Sequence, residues 1–308
     1  MTIQHPATEF EVIVIGGSYA GLSAATQLAR ARRRILVVDA GQRRNRYAQH
    51  SHGYLGQDGR EAAAIAADGR AQLMKYPTVR WIEGSATQAV KHGDVFRVTL
   101  ADGSIFQTQR LVLATGMVDE LPSIPGLAER WGSSVFHCPY CHGYELEQGH
   151  IGVIATSAHS IHHAMMLPDW GKVTFFLNGA FEPDTEQLEK LAQRGVTVER
   201  TPVRSVSGQA TVALQDGRAL EMAGLFVISR LHSASPIAEQ LGCEMEEGPM
   251  GSYVRTDMIK ASSVPGVYVA GDAARMAGSV ALAVADGAMA GVAAHQSLIF
   301  GAVAAKAA

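Results

Sequence analysis

Cys138 and Cys141 stand two residues apart in His137-Cys138-Pro139-Tyr140-Cys141-His142-Gly143, a spacing at which two thiols close a small disulfide and open it again. A helix terminus or a neighbouring cation lowers a thiol's pKa, and the resulting thiolate attacks disulfides, so redox exchange suits this pair. His142, directly after the second cysteine, is a candidate proton carrier. Two blander uses compete: a zinc half-site made with His137 and His142, or a static disulfide in an exported protein. Structural zinc wants two pairs of ligands, and the third cysteine, Cys243, stands alone, so no metal is expected. Cys243 itself reads as a buried small apolar residue.

The surrounding chain is long enough to build two domains around this chemistry: 308 residues, 47% apolar and 18% charged. A formal net charge of -3, without a Lys/Arg stripe, argues against a nucleic-acid partner, because phosphate binding needs concentrated positive charge. The short clusters Arg32-Arg33-Arg34 and Arg43, Arg44, Arg46 read as a solvated rim or as cofactor phosphate contacts. Met1 to Phe10 is polar and runs into a strand, so no secretory signal is expected, and three cysteines fit a cytoplasmic catalyst better than a disulfide framework. The Ala- and Val-rich end from Ser279 includes Asp286 and His295, which favours a buried helix over a membrane span.

Strand, glycine turn and helix open the chain. Glu11 to Ile15 is an apolar run, Gly16-Gly17-Ser18-Tyr19-Ala20-Gly21 follows, and Leu22 to Ala31 has helical periodicity. Gly16 permits the turn, Gly21 lets helix and strand pack closely, and Ser18 takes the place where a second glycine usually admits a pyrophosphate. Asp39 ends the next strand, where an acid binds an adenosine ribose hydroxyl. The polar loop from Arg43 to Asp58 includes Asn45 and His52, counted as cofactor contacts. Further on, a helix at Glu61 to Tyr76 and short strands lead to Ala114-Thr115-Gly116, small residues at a strand end where the chain can run close beneath a cofactor. Gly271-Asp272 ends a late strand and places a carboxylate for a ribityl hydroxyl. The helix from Ser279, beginning Val280-Ala281, aims its positive end at a flavin's pyrimidine carbonyls.

The opening unit repeats. Ile151 to Ile154, a helix over Ser160 to Trp170 and the strand Lys172 to Leu177 copy it, but Ala155-Thr156-Ser157-Ala158-His159-Ser160 replaces the glycine turn, and Asn178-Gly179 offers neither acid nor arginine. A nicotinamide coenzyme is poorly provided for, and NADPH is doubtful. The expected fold is α/β: two Rossmann-like three-layer nucleotide-binding domains, the second inserted into the first. The boundaries expected are 1–118 with 245–308 for one domain and 119–244 for the other.

In order, the Gly16 to Gly21 turn, Asp39, Ala114 to Gly116, the Cys138/Cys141 pair and Gly271-Asp272 resemble the low-molecular-weight thioredoxin reductases over nearly the whole chain. The resemblance implies FAD in the discontinuous domain, a redox dithiol in the inserted one, and a homodimer. Carried over by position, Cys141 faces the flavin and Cys138 exchanges with substrate. Departures from that family are His142 in place of an acid, the missing glycine motif, the missing 2′-phosphate arginines, and Ser279-Val280 in place of arginine-glutamine. Cys-x-x-Cys-His-Gly is similar to the flavin-dependent dithiol oxidases of the gliotoxin and holomycin type, which take thiols to disulfide with oxygen as acceptor. The resulting expectation is oxidation of a small dithiol through Cys138 and Cys141, with His142 near its ordinary pKa receiving the thiol proton. Reduction of thioredoxin or a small disulfide by NADPH or another donor is the runner-up, and a flavin redox sensor without turnover is the third reading.

Overall fold

The computed structural model describes residues 9–302; the polar start and the last residues, on which the leader and terminal-helix expectations partly fall, lie outside them. Two compact units result. One comprises the chain up to Arg44, Ala63–Val118 and the chain from His232 onward; the other comprises Asn45–Ala62 and Asp119–Leu231.

In the first unit a five-stranded parallel sheet runs Val267–Val269, Arg110–Leu113, Val12–Ile15, Ile35–Asp39, Val79–Glu83. The strands Val12–Ile15 and Ile35–Asp39 in its interior are apolar runs up to the closing Asp39 because both faces are covered, whereas Val79–Glu83 at the edge carries Arg80 and Glu83. The two-residue period divides them: Val12 and Val14 enter one core with the helix Tyr19–Arg30, while Ile13 and Ile15 enter the other with Phe96 and Val98. Each such fully buried side chain contributes about 1.5–3 kcal/mol. The helices Tyr19–Arg30 and Val280–Phe300 lie together, with Ala20 and Ala24 facing Gly287 and Gly291. Asp286 lies buried in the second of these helices. The Arg275 guanidinium donates to both its oxygens at 2.7 Å and Lys260 Nζ lies 2.9 Å away, which compensates the desolvated carboxylate. No described helix is long and apolar enough to cross a membrane.

The inserted unit repeats the plan, with the parallel order Val135–Phe136, Gly224–Val227, Gln148–Ile154, Gly171–Phe176, Thr197–Glu199. Each unit also carries a three-stranded antiparallel sheet, Ala86–His92 to Ile105–Thr108 in the first and Val203–Ser207 to Ala219–Glu221 in the second.

The chain returns to the first unit at His232, earlier than the boundary expected at 245. Ile237, Ala238 and Cys243 explain this, since all three are buried in the first unit's core. The segment Asn45–Ala62 groups with the inserted unit although its sequence lies inside the first. The helix expected over Ser160 to Trp170 is α-helical only at Ile161–Met166, with 3-10 turns on both sides; Pro168 cannot donate to the ladder. The helix expected over Glu61 to Tyr76 spans Ala62–Leu73.

Candidate functional site

The first unit gathers its predicted cofactor residues at the carboxyl ends of the parallel strands, where open α/β sheets bind ligands. Gly16 has φ +102°, and a Cβ there would stand 2.2 Å from Ala114 O; at Gly21 it would stand 1.8 Å from Gly16 O. The two glycines therefore let the Ser18, Tyr19, Ala20 turn close against Ala114, Thr115 and Gly116. Ser18 caps the helix by position, its carbonyl accepting from Leu22 N at 2.8 Å, and its side chain makes no cap bond. Asp39 Oδ1 accepts from Gly17 N at 3.0 Å, which fixes the acid at the turn. Gly271, at φ +73°, brings the backbone beside Ala20, and Asp272 follows it. Ser279 Oγ caps the last helix by accepting from Leu282 N at 3.1 Å, so the N–H groups at Val280 and Ala281 begin a 21-residue helix.

Two residues that the motif does not name belong to this cradle. Arg44 donates to Asp272 Oδ2 at 2.9 Å, with both side chains mostly buried. Its sequence signal was the Arg43, Arg44, Arg46 cluster. Trp81 packs against Gly17 and Asp39, and its buried indole N–H has no hydrogen-bond partner among the described residues. Nothing in a strand reading Val-Arg-Trp-Ile-Glu marks that tryptophan for the turn. The residues fit a dinucleotide such as FAD: a turn closed by glycine, an acid at the ribose position, a guanidinium, an orphan donor and a capped helix start. Asn45 and His52 belong to the other unit.

In the inserted unit the strand Val135–Phe136 runs into the four-residue helix Pro139–His142, with Cys138 as N-cap at φ -109° and ψ 108°. Pro139 suits the first helical position, where its missing N–H would have no partner anyway. Cys141 N donates to Cys138 O at 3.2 Å. Cys138 and Cys141 are joined as a disulfide, with Cα atoms 5.3 Å apart, and both are half-buried. Sulfurs bonded to each other are not zinc ligands, and among the described residues no three His, Cys, Asp or Glu side chains are grouped to hold a metal. Cys243 is buried, its thiol pKa raised by desolvation, and it donates to Ser262 Oγ at 3.6 Å.

His142 departs from the expectation of an ordinary pKa. Its ring stacks on Phe136 at 4.3 Å, and burial, with His52 as a lesser cause, lowers it to about 4. His52 Nδ1 lies 3.4 Å from Glu145 Oε1 and 3.7 Å from Asp58 Oδ1. A second buried histidine in this unit, His163, is also lowered to about 4, by burial and then by His137 and His162, and its Nδ1 has no hydrogen-bond partner among the described residues. Both rings are neutral in the folded protein at pH 7. Between pH 6.5 and about 4 the unfolded chain binds protons that the folded chain refuses, so stability falls as pH drops through that window and levels off below it. At 1.36 kcal/mol per pH unit the loss is roughly 3 kcal/mol for each ring. Urea unfolding at pH 7 and 4.5 is expected to show a smaller acid loss for His163→Leu than for wild type. Equal losses would remove His163 from this account.

The second unit's turn at 155–160 is closed upon itself. Thr156 N donates to the Ser160 hydroxyl at 3.1 Å, the Thr156 hydroxyl donates to Ile228 O at 3.0 Å, and Ser160 is fully buried. Asn178 Oδ1 accepts from Val203 N at 2.9 Å.

A nucleotide cradle in one unit and a bonded Cys-x-x-Cys pair in the other define a class of disulfide oxidoreductase built on two nucleotide-type folds. The profile of the pyridine nucleotide-disulphide oxidoreductases matches residues 10–290, and the chain belongs to that family. It is 32% identical to the thioredoxin reductase tcpT of Claviceps purpurea (strain 20.1) over 94% of each chain, and 31% identical to the thioredoxin reductase sirT of Leptosphaeria maculans over 92% of each. Among solved structures, an oxidoreductase from Agrobacterium tumefaciens is 58% identical with a TM-score of 0.93, covering 95% of this chain and 99% of that one. HlmI is 34% identical with a TM-score of 0.89, covering 95% and 93%. The protein is thus a thioredoxin reductase-like oxidoreductase of an FAD-binding family.

Proposed function

We propose that this enzyme oxidises a small dithiol to a disulfide through Cys138 and Cys141, with FAD in the first unit and dioxygen as the final acceptor. The observation that supports this direction is the turn at 155–160, whose Thr156 amide is already satisfied by the Ser160 hydroxyl instead of being offered to a coenzyme phosphate. The bonded state of the cysteine pair is the form that accepts electrons from thiols.

One substrate thiolate attacks Cys138 Sγ, breaks the bond to Cys141 and releases Cys141 as thiolate. The second substrate thiol then displaces Cys138, so two substrate thiols become a disulfide while the enzyme disulfide becomes two thiols. His142 is a poor store for the proton at a pKa of about 4, so its role is to accept a hydrogen bond from the incoming thiol while the proton passes to solvent. Gly16, Ser18, Tyr19, Ala20 and Gly21 would hold the FAD pyrophosphate, Asp39 the ribose, and Asp272 the ribityl chain. Ala114, Thr115, Gly116, Gly271, Val280 and Ala281 would form the floor beneath it. When bound, FAD supplies the two-electron acceptor for the reduced cysteine pair and delivers those electrons to dioxygen.

The names of the fungal relatives favour a second reading, reduction of a thioredoxin-like protein. Anaerobic mixing separates the two: dithiol is expected to bleach the yellow protein and NADPH to leave it coloured, with colour and peroxide appearing on admission of air. Rapid bleaching by NADPH would overturn the oxidase reading.

A homodimer belongs to the same proposal. The helix Val280–Phe300 exposes Leu282, Met289, Val292 and Ile299, which follow the seven-residue repeat of a helix-pairing seam. Sedimentation is expected at twice 32.7 kDa for wild type and near 32.7 kDa for Met289→Asp/Val292→Asp. A wild-type monomer would end that part of the reading.

A further inference from the structure

We infer that Tyr140, supported by Trp170 and flanked by Tyr144, forms an aromatic platform that selects dithiols with a flat, uncharged body. The inference deepens the proposed dithiol chemistry and rests on it for the identity of the substrate.

Tyr140 lies inside the loop closed by the Cys138–Cys141 bond and is 74% exposed, whereas both cysteines are half-buried. Its ring is therefore open to a molecule that approaches the disulfide. The ring is nevertheless held in place. It meets the Trp170 ring edge-on, with centroids 5.3 Å apart and an interplanar angle of 89°. Trp170 is in turn pinned beneath the disulfide helix, because at Gly143 a Cβ would come within 2.8 Å of its Cδ1 and Cγ. Trp170 also packs on the core containing Phe136, Leu167 and Phe175. A ring fixed this way loses little freedom when a second ring covers it. Tyr144, 85% exposed, begins the next turn of chain.

Sterics and charge narrow the occupant. A broad protein surface would meet the protruding Tyr140 before it reached the recessed sulfurs, whereas a slim molecule can lie along the ring with its sulfur at Cys138. Glu145 and Glu147 are exposed just beyond, which disfavours carboxylate-bearing thiols such as glutathione. The chemistry balances within the exchange itself: two substrate thiols lose two electrons and two protons to form one disulfide, and Cys138–Cys141 gains them as two thiols.

The test is the anaerobic second-order rate of reduction of Cys138–Cys141, read by thiol trapping, with 1,2-benzenedimethanethiol and with dithiothreitol. This readout needs neither oxygen nor turnover. Wild type is expected to prefer the benzylic dithiol, and Tyr140→Ala to lower that preference on the order of tenfold, while Tyr140→Phe keeps it. An equal preference in wild type and Tyr140→Ala would overturn the platform, as would faster reduction by a reduced thioredoxin than by the benzylic dithiol. If no dithiol turns over in air while the preference persists, the oxidase reading falls and the platform stands.

Discussion

Cys141→Ser is expected to lower dithiol-driven anaerobic bleaching by roughly three orders of magnitude or more while the protein stays yellow. The loss is this large because neither remaining cysteine can take the place of Cys141: Cys138 has lost its disulfide partner, and Cys243 is buried in the other unit. Stability is a small part of the effect, since the disulfide closes a loop of sequence separation 3, for which chain entropy gives about 2 kcal/mol. The same variant separates the roles of the two sulfurs. With Cys141 gone, Cys138 remains as a lone thiol, so a substrate disulfide is expected to form a mixed disulfide that nothing resolves, visible as an added mass on the intact protein. Cys138→Ser is expected to trap far less. Equal trapping by both variants, or bleaching by Cys141→Ser at the wild-type rate, would remove the assignment of Cys138 as entry sulfur and Cys141 as its resolving partner.

The repeat, the parallel sheets and the cysteine pair were legible because each has a local physical cause: apolar runs for buried strands, glycines where the backbone closes on itself, and two thiols within bonding reach. What the sequence did not display depends on contacts between distant positions. Trp81 lies far along the chain from Gly17, so its place at the turn follows from the pairing of Val37 with Trp81 in adjacent strands. Arg44 meets Asp272 across 228 positions, and only the arginine cluster hinted at a partner. His142 obeys the same kind of constraint. Its type indicated a proton carrier of ordinary pKa, but Phe136, the last residue of the preceding strand, takes its ring out of water. The return to the first unit at His232 was hidden because short apolar pieces such as Ile237-Ala238 do not show which core will bury them.

Gly16→Val is expected to give a colourless protein with the first unit destabilised by roughly 3 kcal/mol or more. Two costs act at the same place. A φ of +102° is a conformation that a β-branched residue scarcely adopts, and the new Cβ would stand 2.2 Å from Ala114 O, so either Val12–Ile15 or Arg110–Leu113 must move. Those strands are hydrogen-bonded neighbours in the middle of the sheet, with Ile15 paired to Leu113, and a shift there opens the glycine turn proposed to hold FAD. Gly41→Ala supplies the comparison: its φ is +70° but no atom lies within 4 Å of the added Cβ, so it carries backbone strain of about 1 kcal/mol without a collision. It is expected to keep its colour with a small loss in melting temperature. Because Cys138 and Cys141 belong to the other unit, the Gly16→Val disulfide should still be reduced by dithiol in a single stoichiometric step. A Gly16→Val protein that purified with one FAD per chain would show that the turn at Gly16 is not the cofactor's cradle.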